Sequence, residues 1–178
     1  MLSIIGFTYK YLKDFLFYKT ILFAFVFSWL GDVFLLGQSS NDLFFVAGLV
    51  SFLISHLLYA AYFYKSVDKT WNKNPNVLLS QFLMILLVIG FYSLMYSGLG
   101  DLSIPVLFYV SAIGVMGILA VNRYNRVTNT SFILSDCIIG YNKFVDPLPF
   151  AHTLIMLFYC LAQYLILKGF VLGSENKA

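Results

Sequence analysis

Six apolar runs follow one another along the chain: Phe15–Leu36, Leu43–Tyr64, Val77–Tyr96, Ile104–Val121, Thr130–Phe144 and Pro149–Phe170. The breaks between them fall at Gly37-Gln-Ser-Ser-Asn41, Asn72-Lys-Asn-Pro75, Gly98-Leu-Gly-Asp101, Asn122-Arg-Tyr-Asn-Arg126 and Asp146-Pro-Leu-Pro149. Such residues end helices and open turns. The pattern predicts helices, and five of the runs are long enough to cross a hydrocarbon core of about 30 Å. Thr130–Phe144 is marginal in length and carries Asp136, Asn142 and Lys143. It is expected to lie inside the bundle, shielded from lipid.

Composition turns helices into membrane spans. Of 178 residues, 61% are hydrophobic and 11% charged, and the mean hydropathy is +0.86. A soluble domain of this size needs more polar surface. The fold expected is therefore all-α: a polytopic transmembrane helix bundle of about six spans, forming one integral membrane domain over residues 1–178. The net charge of +3 reads as a topology signal. Lys10, Lys13 and Lys19 precede or enter the first span, Lys65, Lys69 and Lys73 follow the second, Arg123 and Arg126 follow the fourth, and Lys168 and Lys177 lie at the end of the sixth. The loops after spans one and three hold no Lys or Arg, so the positive-inside rule puts both termini in the cytoplasm. The expected location is the bacterial inner (cell) membrane.

No basic stripe interleaved with exposed aromatics points to nucleic acid. Cys137 and Cys160 lie in apolar runs and read as packed thiols, not a disulfide. The N-terminal stretch lacks the long apolar region and small-residue cleavage site of a signal peptide.

Candidate chemistry begins with two acids placed inside apolar runs: Asp32 in FAFVFSWLGDVFLLG and Asp136 in SFILSDCIIGYNKF. An ionised group in lipid is costly, so such residues face polar cavities and mark function. Helical spacing groups other polar residues with them. Ser28 and Asp32 are i,i+4; His56 and Tyr59 are i,i+3, with Ser55 close by; Asp136 and Lys143 are i,i+7, with Asn142 beside that face. His152, Met156, Tyr159 and Gln163 fall on one stripe of the last span. Each has a plainer reading. His56, His152 and Gln163 can serve only as cross-helix hydrogen bonds, Tyr59 and Tyr159 as core aromatics, Lys143 as a snorkelling cation, and Arg123 as a topology anchor. Ser111, Gly114, Gly117 and Ala120 form a small-residue stripe suited to internal packing or to a dimer.

Asp32, Asp136, His56 and His152 could supply a carboxylate and imidazole set for zinc, but they come from four separate spans, and no HExxH or CxxC spacing exists. No metal or other cofactor is expected. A GxSxG elbow and a Gly-rich phosphate loop are also missing from the sequence.

The strings SWLGDVFLL, FLISHLLYAAYF, GVMGILAVNR, ILSDCIIGYNKF and FYCLAQYLI, in this order from about Ser28 to Lys168, resemble the YhhN family of membrane proteins, which includes the lysoplasmalogenases. The resemblance implies a compact helical bundle that hydrolyses the vinyl ether bond of lysoplasmalogens, giving a fatty aldehyde and a glycerophospho head group. It implies Asp32 and Asp136 as the catalytic pair, and it brings in His56, Tyr59, Asn142, Lys143, Tyr159 and Gln163 as matching polar positions. Ser28 and His152 join them as pocket-lining candidates, with a lysophospholipid and the bilayer as partners. The family pattern has about eight helices and an early Lys-Pro motif without a clear counterpart here, so one or two N-terminal helices are expected to be missing.

Vinyl ether cleavage needs a proton on the carbon distal to oxygen and an anion to steady the resulting oxocarbenium-like cation and orient water, a task two carboxyls can share. Lys143 on the Asp136 face suggests Asp136 as the ionised partner and Asp32 as the proton donor, an assignment that can be reversed. The rival class is a small-molecule or proton-coupled transporter, or a non-catalytic membrane protein, since the same residue types build proton relays. Against transport, no inverted repeat with paired broken helices is evident.

Overall fold

The computed structural model describes residues 16–38, 41–66, 73–124 and 130–175. The expectations attached to Lys10, Lys13, Lys69, Arg126 and Lys177 lie outside the described residues. Six helices account for nearly all of the rest: α1 (Leu16–Leu36), α2 (Asp42–Ser66), α3 (Pro75–Leu99), α4 (Ser103–Tyr124), α5 (Thr130–Phe144) and α6 (Ala151–Glu175), with a 3₁₀ turn at Gly100–Leu102 between α3 and α4. No strand occurs among the described residues, and the all-α class predicted from the apolar runs holds.

Four stretches are long and apolar enough to cross a membrane: Lys19–Leu36, Leu43–Lys65, Pro75–Asn122 and Ala151–Lys168. The third takes in both α3 and α4. At 15 residues, α5 falls short of the roughly 20 a crossing requires. Large apolar side chains such as Leu79, Phe82, Leu83 and Ile89 on α3 and Leu157 on α6 are exposed, as expected where the surrounding medium is hydrocarbon.

The helix ends follow from local chemistry. Asn74 caps α3 by accepting the Asn76 backbone N–H at 2.9 Å, with Pro75 at the first helical position, where its missing N–H costs nothing. Asn41 accepts the Leu43 N–H at 2.8 Å and starts α2 in the same way. Gly100 takes φ +50° at the α3–α4 turn, a conformation that a side chain disfavours.

The chain gathers into two compact units, Met1–Ser66 and Val67–Ala178. The first is an antiparallel hairpin of α1 and α2. Its register is fixed by Gly37 against Phe44, Gly31 against Phe52 and Phe25 against Tyr59. The second holds α3 to α6. Here α3 and α4 pair antiparallel, with the Tyr92 hydroxyl donating to the Ser103 carbonyl at 3.2 Å near the turn and Val88 against Gly114 farther along. Gly114 is thus the part of the α4 small-residue stripe that receives α3. The helices α3 and α5 run parallel: Met95 meets Gly140, and Gly98 meets Phe144. Gly98 has no alternative, because a Cβ there would collide with the Phe144 carbonyl oxygen, which is backbone and cannot swing away.

Antiparallel pairing brings the exposed Lys19 and Lys65 to one end of the first hairpin. It likewise brings Lys73 and the Arg123 position to one end of the α3–α4 pair.

Candidate functional sites in the two units

In the first unit, the α1–α2 interface buries a polar chain. The Ser55 hydroxyl donates to the Ala24 carbonyl at 2.9 Å, and the Ser28 and Ser55 hydroxyl oxygens lie 2.7 Å apart. A hydroxyl has one hydrogen. Since Ser55 has given its hydrogen to Ala24, Ser28 is the donor between the two, and Ser28 keeps only lone pairs for any other partner. Asp32 sits one turn beyond Ser28 and is half-buried. The residue before it, Gly31, lets the Phe52 ring of α2 come closer than a Cβ would allow, 2.7 Å from the ideal Cβ position. The GD string thus combines a close helix approach with a carboxyl beside it.

His56 is buried, one turn along its own helix from Phe52. Tyr59 is fully buried, edge-on to Phe25 with ring centroids 5.6 Å apart and stacked on Phe63 at 6.4 Å. Ser28, Asp32, His56 and Tyr59 therefore share one hairpin, with Ser28 and Tyr59 in its packed interior.

In the second unit, three helices converge on Asp136. Asp136 on α5 is half-buried as a residue, with its Oδ2 atom buried, and receives a hydrogen bond from the Tyr109 hydroxyl of α4. Tyr159 of α6 and Cys137 of α5 lie within electrostatic range of the same phenol. Tyr109 and Tyr159 are both buried. Tyr109 escapes sequence reasoning because its own helix surrounds it with Pro105, Val106, Ala112 and Ile113, so no polar i,i+3 or i,i+4 partner marks it. Ser55, noted only as a neighbour of His56, likewise proves central to its hairpin.

The other positions separate by burial. Gln163 is fully buried, whereas His152 is exposed. Asn142 and Lys143 are exposed at the end of α5. The Asn142 side-chain oxygen accepts the Leu148 backbone N–H at 3.0 Å and so ties down the α5–α6 connection. Lys143 occupies the last turn of α5, where a cation complements the helix dipole. Further buried polar side chains staple helices together: the Ser135 hydroxyl donates to the Ile155 carbonyl at 3.3 Å, and the Gln81 amide to the Ile118 carbonyl at 3.5 Å. Among the described residues, no group of three or more His, Cys, Asp or Glu is placed to hold a metal ion.

No solved structure matches the chain. Lysoplasmalogenase TMEM86A of Bos taurus is 33% identical to it over an alignment of 169 residues, with 87% of this chain and 66% of the relative covered. Lysoplasmalogenase TMEM86A of Homo sapiens is 34% identical over 169 residues, with the same shares of each. The chain thus spans just under two thirds of the length of these curated relatives. The profile of the YhhN family matches residues 1–170, and the chain belongs to the YhhN family.

Proposed function

We propose that the protein is a membrane-embedded hydrolase that cleaves the vinyl ether bond of lysoplasmalogen-type lipids, with Asp32 and Asp136 as its acid and base. The observation that carries the reading is the similarity to relatives named lysoplasmalogenase, at 33% and 34% identity over 169 residues. The two intramembrane acids, one in each compact unit, supply the groups the chemistry needs.

In this mechanism protonated Asp32 delivers its proton to the vinyl carbon distal to oxygen, which leaves an oxocarbenium-like cation. Asp136, as the carboxylate, steadies that cation and takes a proton from the water that adds to it. The hemiacetal then collapses. Asp32 recovers a proton from the hemiacetal hydroxyl, and Asp136 returns its proton to the glycerol oxygen. A fatty aldehyde and the glycerophospho alcohol leave, and both acids are reset. The assignment is supported by the neighbour of Asp136: the Tyr109 hydroxyl donates to it, as a carboxylate acting as base can accept, which leaves Asp32 as the proton donor of the pair.

A bundle of six crossings in the bacterial cell membrane with cytoplasmic termini accompanies this reading. The orientation in that reading is supported by the placing of Lys19 with Lys65, and of Lys73 with the Arg123 position, at shared helix-pair ends.

Incubating the purified full chain in detergent with lysoplasmalogen and assaying aldehyde tests the reading. Asp32→Asn and Asp136→Asn are each expected to lower turnover by about 10²–10⁴-fold. Full activity in both variants would remove the aspartate mechanism. Gradient-dependent uptake into vesicles, with no aldehyde from any preparation, would favour a transporter instead.

A further inference from the structure

Asp136 projects from α5, the shortest of the six helices, into a group of side chains from α4 and α6. A carboxylate on a helix can turn about its side-chain bonds and exchange its two oxygens, so a base that must face a particular water needs something to hold it. Tyr109 is suited to do so. Its ring is 8% exposed, so the phenol is fixed by packing, and its hydroxyl reaches across from α4 to hydrogen-bond the carboxyl. Asp136 is half-buried as a residue, and its Oδ2 atom is itself buried, so the carboxyl faces the interior of the helix group. A hydrogen bond to a charged group is stronger than one between neutral groups, and here one end sits on a rigid ring. Tyr159, 4% exposed, is the other phenol of the group and approaches from α6. The titratable neighbours of the pair are therefore Tyr109 from α4, Cys137 from α5 and Tyr159 from α6.

We propose that Tyr109 is a positioning residue for Asp136: its hydroxyl anchors one carboxylate oxygen and so aims the other at the reacting atoms. The consequence for turnover rests on the hydrolase reading above, whereas the anchoring itself does not. Tyr109 touches Asp136 and acts through it. Removing the hydroxyl releases the carboxylate without removing the base.

Four forms of the full chain decide the matter: wild type, Tyr109→Phe, Asp136→Asn and the double variant, each purified in detergent. Tyr109→Phe keeps the buried ring, and a thermal melt of each form checks that it is folded. With lysoplasmalogen as substrate, Tyr109→Phe is expected to lower kcat about tenfold or more while KM stays within about twofold. In the Asp136→Asn background the same change is expected to cost nothing further, because the residue it acts through has gone. Unchanged kcat in a folded Tyr109→Phe protein, or losses that multiply in the double variant, would overturn the proposal.

A second readout needs no turnover. The infrared band of the Asp136 carboxylate, assigned by its loss in Asp136→Asn, is expected to shift in Tyr109→Phe. A band that does not move would overturn the anchoring. If wild type releases no aldehyde, the hydrolase reading fails, and the infrared shift still decides whether Tyr109 holds Asp136.

Discussion

Ser28 and Ser55 meet hydroxyl to hydroxyl at 2.7 Å inside the α1–α2 hairpin. Because Ser55 passes its hydrogen to the Ala24 carbonyl, the two positions are not equivalent. Ser55→Ala removes the acceptor of a buried donor and is expected to destabilise by about 1–3 kcal/mol. Ser28→Ala leaves Ser55 still donating to Ala24 and is expected to cost about 1 kcal/mol. Unfolding in mixed micelles measures both, and the reverse order would contradict the direction assigned to the chain of hydroxyls.

Two glycines of the second unit differ in what an added methyl would meet. At Gly98 it is the Phe144 backbone carbonyl; at Gly140 it is the Met95 sulfur, with the ideal Cβ 2.6 Å away. Backbone cannot yield, and a methionine end can. Gly98→Ala is therefore expected to cost about 2–3 kcal/mol by overpacking, and Gly140→Ala less. Equal unfolding midpoints for the two variants would contradict this.

Asn142 serves the α5–α6 connection through its side-chain oxygen. Asn142→Ala is expected to speed proteolysis or hydrogen exchange across Val145–Phe150, and Asn142→Asp, which keeps an acceptor oxygen, to restore protection. Activity that falls in Asn142→Ala without any change in loop protection would assign the residue a direct role at the substrate instead.

Gln163 and His152 share a stripe of α6 but not an environment. Gln163→Leu removes a fully buried amide and is expected to change stability by about 1 kcal/mol or more. His152→Ala, at an exposed position, is expected to stay within about 0.5 kcal/mol. The comparison is read from paired melts in one detergent.

The helix boundaries were open to sequence reasoning because they depend on local chemistry. Asn74 and Pro75 start α3, Gly100 turns it into α4, and the Asp146-Pro-Leu-Pro149 break separates α5 from α6. The stripe of His152, Met156, Tyr159 and Gln163 shows where such reasoning stops. Helical spacing gives the direction in which a side chain points around the axis and says nothing of how deep it sits along that axis. Two members of the stripe are therefore exposed and two buried. The Tyr109–Asp136 hydrogen bond lay further out of reach, since it depends on how α4 and α5 are rotated against each other. The two acids themselves were conspicuous because charge inside an apolar run is rare.

The brevity of α5 has a consequence for hydration. At 1.5 Å per residue its 15 residues rise about 22 Å, against a hydrocarbon core of about 30 Å. Asp136 lies six residues from the first residue of the helix and eight from the last, which puts either end within about 9–12 Å of it along the axis. The polar residues Asn142 and Lys143, both exposed, lie at the end that is eight residues away. The proposed hydrolysis would need water as well as lipid at that carboxyl. Of the six helices, the one that bears this carboxyl is the least able to carry both its ends clear of hydrocarbon.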